Sequence, residues 1–150
     1  MLNVARQSFA DRNNITYVVS DYTGSLPDGP YDIICSALSI HHLAPEQKRQ
    51  LFSKIFHSLT QGGMFVNADQ ADGETRYFRE RYLAYWNEFL RTGPLGEQER
   101  EEILIRRDHL DQNEKLSLQL RWLSDAGFSD VDIVYKNRTF IVTVAVKGTG

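Results

Sequence analysis

Apolar positions near the start of the chain, Leu2, Val4, Ala5 and Phe9, have a loose helical spacing. The run that follows, Ile15-Thr16-Tyr17-Val18-Val19, is β-branched and aromatic and predicts a buried strand closed by Ser20-Asp21. Gly24, Pro27, Gly29 and Pro30 then mark a loop. Tyr31 to Ser36 predicts a second strand, and Ala37 to His42 leads from it into a helix with Pro45 in its first turn and a stripe of Leu51, Phe52, Ile55, Phe56 and Leu59. Gly62 and Gly63 stop that helix, and Met64 to Ala68 predicts a third apolar strand. Strand and helix alternating in this way predict right-handed crossovers and a parallel sheet, hence an α/β fold.

From Glu74 to Asp108 the rhythm changes. An amphipathic helix carries Phe78, Tyr82, Tyr85, Trp86 and Phe89, breaks at Thr92-Gly93-Pro94 and is followed by a charged second helix, a helical insertion of about residues 74–108. A further helix with Leu116, Leu120 and Leu123 on one face ends at Ala126-Gly127, where glycine suits a left-handed cap. Val131, Ile133 and Tyr135 alternate with polar residues, Asn137-Arg138-Thr139 is short enough for a hairpin loop, and Phe140 to Val146 returns antiparallel.

At 150 residues, 41% hydrophobic and 25% charged, the chain has the profile of one globular domain spanning 1–150. No apolar run reaches the roughly 20 residues of a membrane-spanning helix and no secretory h-region opens the chain, so a cytoplasmic location and no membrane partner are expected. Cys35, the single cysteine, lies in an apolar run and is expected to be a buried, inert thiol. A net charge of −3 lacks a basic footprint, so a nucleic-acid partner is not expected, although a local basic pocket is compatible with it.

Open parallel sheets bind ligands at the carboxyl ends of their strands, which directs attention to Asp21-Tyr22, Ser36 to His42 and Asp69 to Asp72. The stretches VSDYTGSLPDGPYDIICSALSIHHL, SLTQGGMFVNAD and LSDAGFSDVDIVYKNRTFIVTVAVK resemble, in order and spacing, the later motifs of class I S-adenosylmethionine-dependent methyltransferases that act on small molecules. The resemblance runs from about Ile15 to Lys147. It implies a partial Rossmann-like sheet, mostly parallel, with a C-terminal antiparallel hairpin. It also implies that the family's glycine-rich first loop and its ribose-binding acid would lie before Met1, since no glycine precedes Gly24, so the chain is expected to be truncated and impaired in cofactor binding as it stands.

On this resemblance Asp21 would accept from the adenine amine and the Tyr22 amide would meet a ring nitrogen, the alternative for Asp21 being a turn cap before Gly24. Ala37, Leu38 and Ser39 would pass the methionine part of S-adenosylmethionine, or else serve only to link strand and helix. His41 is the candidate base, with an unperturbed imidazole suited to proton transfer. Adjacent histidines on an extended segment point apart and no third ligand is nearby, so His41 and His42 are not expected to bind metal. Asp69 would orient substrate or cap the next turn.

The aromatic helix is expected to pack in the core or at a dimer contact, with Tyr77, Tyr82 and Trp86 also candidates for a substrate pocket. Arg76, Arg79, Arg106 and Arg107 would form a salt-bridged face among the glutamates or bind an anionic substrate, Arg107 being the candidate retained for substrate. Three functions follow from these features. The first is methyl transfer to an unidentified small-molecule acceptor. The second rests on IRRDHLDQNEKL and AGF, which also resemble enzymes that modify the wobble uridine of transfer RNA with a carboxylated cofactor, Arg106 or Arg107 pairing with the extra carboxylate. The third is a non-enzymatic oligomeric remnant that covers an open sheet edge with a second chain. A homodimer is expected in any case, through that edge or the aromatic helix.

Overall fold

The computed structural model describes residues 2–149. Helix α1 (Leu2–Ser8) buries none of its residues. Strand β1 (Tyr31–Ala37) leads through a single 3-10 turn (Ile40–His42) to α2 (Pro45–Ser58) and β2 (Leu59–Gln70). Helices α3 (Arg76–Thr92), α4 (Glu97–Leu110) and α5 (Leu116–Asp125) precede the hairpin of β3 (Asp130–Asn137) and β4 (Phe140–Val146).

The four described strands form one sheet in the order β1-β2-β4-β3. β1 and β2 run parallel, with Ala37 opposite Ala68, while β4 lies antiparallel between β2 and β3. The parallel character expected of the sheet is therefore confined to the β1/β2 pair. The strand expected over 15–19 does not form: its residues make no ladder, and Val18 and Val19 are 53% and 80% exposed. A strand needs a neighbour to accept its backbone hydrogen bonds, and none of the described strands lies against this segment, so its β propensity is unrealised.

Alternation along β2 and β4 sends Leu59, Phe65, Asn67, Asp69, Ile141, Thr143 and Ala145 to one buried face. Helices α2 and α5 cover that face, where Leu51, Phe52 and Ile55 meet Phe65, Trp122, Leu123 and Phe128. The Phe56 and Phe128 rings meet edge to face at 5.2 Å between centroids. Pro45 opens α2, where its missing N–H costs nothing. Helix α5 gives way to Gly127 at φ +114°, the left-handed position anticipated for it.

The opposite face is not covered by these helices. Ile33 and Val134 are each 61% exposed and Cys35 is exposed, which corrects the expectation of a buried thiol. The aromatic helix α3 forms where its pattern predicts but not in the core, since Leu90 is its only buried residue and Tyr77, Phe78, Tyr85 and Phe89 face solvent. Among the described residues no helix is long and apolar enough to cross a membrane.

Candidate active site at the strand ends

Because β1 and β2 are parallel and in register, their carboxyl ends lie side by side, and the residues that follow them converge. Leu38 leaves β1 with φ +47°, a left-handed turn that an L side chain adopts at a cost of about 1 kcal/mol, and its N–H still donates to the Ala68 carbonyl at 2.9 Å. The chain then winds into the 3-10 turn, which buries His41 to 4% beside the 2%-exposed Asp69 at the end of β2.

Asp69 clamps His41 twice: Oδ1 lies 2.5 Å from Nδ1, and Oδ2 accepts the His41 N–H at 3.1 Å. An ionised carboxylate can only accept, so Nδ1 carries a proton, and in the neutral ring Nε2 presents its lone pair. That lone pair faces the Gln70 side-chain amide at 3.4 Å and Asp111 Oδ1 at 3.5 Å. Asp69 Oδ1 also accepts the Gln70 N–H, so Asp69 acts both as a partner for His41 and as a local backbone cap.

Asp111 arrives from the C-terminal end of α4, and the loop it opens is tied down next to it. The Gln112 N–H donates to the His41 carbonyl at 2.9 Å, and the Gln112 side chain donates to the His42 carbonyl at 3.3 Å. Lys48, buried in α2, donates from Nζ to the Gln112 carbonyl. Burial pushes the Lys48 amine below its ordinary range, opposed by the nearby Glu114 and Asp69 carboxylates. His42 Nδ1 stands 3.3 Å from the same Asp111 oxygen, and the two imidazole centroids are 3.9 Å apart. The expectation that these histidines diverge is thus corrected: residues 40–42 form a 3-10 turn, not an extended segment, and the turn brings both rings onto one carboxylate.

The pair opens on a cleft of about 390 Å³ lined by His41, His42, Gln70, Trp86, Arg107 and Asp111, among others. Arg107 lies over the Trp86 ring at 4.9 Å and donates to Asn87 Oδ1 and Asp108 Oδ1, both at 2.8 Å. On the other side of the β1 end, Tyr22, Ala37 and Ser39 border a second, largely apolar cleft of about 330 Å³. There the Tyr22 and Ser39 hydroxyls are 2.7 Å apart. Leu38 belongs to the first cleft, so the left-handed turn divides residues 37–39 between the two.

Asp21 is exposed, and its Oδ1 accepts from the Thr23 N–H at 2.8 Å and the Thr23 hydroxyl at 2.7 Å, bonds that hold its carboxyl below the ordinary carboxylate value. The turn-cap role weighed for Asp21 is therefore occupied through one oxygen. Tyr82 and Trp86 line a smaller hollow of about 200 Å³ with Tyr85, Phe89 and Arg138, whereas Tyr77 borders none of these spaces. Asp111 and Lys48 were not singled out from the sequence, and Gln70 only as part of the stretch Asp69 to Asp72. The only available signal was an acid directly after the charged helix, in a segment already rich in charge.

Residues 1–63 match the family model described as a methyltransferase domain. The carboxy-S-adenosyl-L-methionine synthase of Helicobacter hepaticus is 26% identical over 122 residues, covering 77% of this chain and 48% of that protein. The synthase of the same name from Methylococcus capsulatus is 29% identical over 113 residues, covering 73% and 46%. The chain spans about half the length of these curated relatives. In fold it is similar to human N-acetylserotonin methyltransferase, with a TM-score of 0.63 and 21% identity over 97% of this chain and 37% of that one. It is also similar to an O-methyltransferase family protein from Burkholderia thailandensis, with a TM-score of 0.69 and 12% identity over 99% and 41%. A methyltransferase-domain sequence match over residues 1–63 and a fold similar to that of S-adenosylmethionine-dependent methyltransferases over nearly all of its length are what liken the chain to that class.

Proposed function

We propose that the protein containing this chain transfers a methyl group from S-adenosylmethionine to a small-molecule acceptor, with His41 taking the acceptor's proton. The observation that carries this reading is the buried His41–Asp69 pair at the ends of two parallel strands, facing a cleft.

The residues near the β1 end suit the cofactor. The cleft bordered by Tyr22, Ala37 and Ser39 combines apolar walls with the hydroxyl-bearing residues Tyr22, Ser36 and Ser39, a lining compatible with a nucleoside carrying a thioether arm. Asp21 retains an oxygen not used by Thr23 and would accept from the adenine amine, beside the Tyr22 amide. The bound cofactor supplies an electrophilic methyl on a sulfonium, so this chain's contribution is alignment, exclusion of water and removal of one proton. Asp69 fixes the imidazole so that Nε2 is the accepting atom, while Trp86 and Arg107 form the opposite wall against which an acceptor would lie.

A second reading is favoured by the names of the curated relatives, carboxy-S-adenosyl-L-methionine synthases. In it the cofactor carries an added carboxylate that pairs with Arg106 or Arg107, both on the cleft wall, and the product serves wobble-uridine modification. Calorimetry of the intact protein with S-adenosylhomocysteine, together with mass analysis of the ligand that co-purifies, separates the two. Failure to bind any adenosyl sulfonium or thioether overturns both. We further propose that the protein assembles as a homodimer through the exposed aromatic face of α3, where Tyr77, Phe78, Tyr85 and Phe89 stand out of the core.

A further inference from the structure

With the Nδ1 proton engaged in the hydrogen bond to Asp69, Nε2 of a neutral His41 and Asp111 Oδ1 are acceptors facing each other at 3.5 Å. His42 Nδ1 faces the same oxygen at 3.3 Å. His42 Nδ1 also lies 3.4 Å from the Leu110 carbonyl, and in the tautomers that leave His41 Nε2 and His42 Nδ1 unprotonated the three atoms present electron pairs to one space that a cation would hold together. The donor atoms all fall within 4.8 Å of one another. Four-coordinate zinc with bonds of about 2.0–2.2 Å holds its ligand atoms about 3.3–3.6 Å apart, the separation seen from Asp111 to each imidazole.

We propose that His41, His42 and Asp111 form a binding site for one zinc-class divalent ion, with its open position toward the cleft lined by Trp86 and Arg107. The donor set, two imidazoles and a carboxylate, suits a borderline transition ion and leaves room for a water or substrate oxygen. Asp69 then acts as the outer carboxylate that orients a metal-bound imidazole, the arrangement that commonly surrounds such ligands. The Asp69 and Asp111 carboxylates bring negative charge to the two imidazoles, with Lys48 near Asp69. Arg107, in the cleft wall, is engaged with Asp108. The inference goes beyond methyl transfer, because the ion and an acceptor's proton compete for the same His41 Nε2. Metal binding is therefore a separate property of the site and is read separately.

The test is calorimetric titration of the chelator-treated protein with zinc chloride alone, with the visible bands of bound cobalt(II) reporting coordination. One ion per chain is expected, with four-coordinate cobalt bands. His42→Ala is expected to weaken zinc at least tenfold; the His42 side chain is 42% exposed, so the fold should tolerate its loss. Asp111→Asn should abolish the cobalt bands, and Asp69→Asn should weaken zinc by about 10–100-fold without changing the stoichiometry. Absence of zinc binding by the wild-type protein overturns the proposal. So does binding that Asp111→Asn and His42→Ala leave unchanged in variants whose melting curves match the wild type.

Discussion

Glu74 caps α5 from outside the helix, its Oε1 accepting the Ser117 N–H at 2.8 Å and its Oε2 the Ser117 hydroxyl at 2.7 Å. Lys115, at the helix's own N-cap, makes no side-chain cap bond, so Glu74, 43 positions before Ser117, supplies the missing acceptor and joins the segment before α3 to α5.

Glu74→Gln is expected to lower stability at neutral pH by about 1 kcal/mol, the usual worth of a cap, or about 2–4 °C in melting temperature. The Ser117 hydroxyl bond, and then the backbone bond, hold the Glu74 carboxyl below its ordinary value. A depressed folded-state pKa means that this stability is fully present above the unfolded value and is lost as pH falls through the folded one. The gap between wild type and variant should therefore narrow in acid. Melting curves at pH 7 and across the range below 4.5 check this, and a gap that widens in acid contradicts the cap.

Gly127→Ala is expected to destabilise by about 1–3 kcal/mol. Its φ of +114° is unfavourable for any L side chain, and an added Cβ would come within 2.7 Å of the Phe56 ring, which packs on Phe128. Urea unfolding should show a lower midpoint with an unchanged slope. An unaffected midpoint would mean that the α5–β3 turn relaxes freely.

Helix α5 and the β3–β4 hairpin were legible because their cues are local: a leucine stripe, a terminal glycine and an alternating run with a short loop. The run at 15–19 was misread because β propensity describes a residue's fit to a sheet, not whether a partner strand is at hand. Within the site, His41 and Asp69 were legible from the rule that ligands gather at strand ends. Asp111 was not, because it reaches His41 only through the return of α4 across 70 residues, and no local spacing encodes that closure. The convergence of His41 and His42 was hidden for a related reason, since a 3-10 turn of Ile40–His42 has no distinctive sequence period.

His41→Gln is expected to lower kcat by about 10²–10⁴-fold in methyl transfer to an acceptor that must lose a proton, while the affinity for S-adenosylhomocysteine stays within about twofold. Asp69→Asn should lower kcat with little change in KM, because it disturbs the imidazole's tautomer and orientation and not the cleft walls. Steady-state assays with labelled S-adenosylmethionine check both. Equal loss of cofactor affinity in His41→Gln would move His41 from the chemistry to the binding of the adenosyl group.

The aromatic face of α3 supplies the last prediction. Phe78 and Phe89 are 46% and 62% exposed on a helix whose only buried residue is Leu90, so the face carries apolar area that the described fold does not use. Trp86 is different: it is half-buried beneath Arg107 and belongs to the cleft wall. An assembly that buries the outer ring of aromatics should therefore respond to Phe89→Asp far more than to Trp86→Ala. Sedimentation equilibrium over a concentration series is expected to show a dimer for the wild type. Phe89→Asp should weaken it by about 2 kcal/mol or more, as expected for an aromatic interface anchor, with the melting temperature of the monomer maintained. Trp86→Ala should leave association intact while lowering stability and loosening the wall beside Arg107. A wild-type protein that stays monomeric at the highest concentration removes the interface altogether. A dimer that survives Phe89→Asp but fails on substitution of Ile33, on the exposed face of edge strand β1, transfers the interface to the sheet.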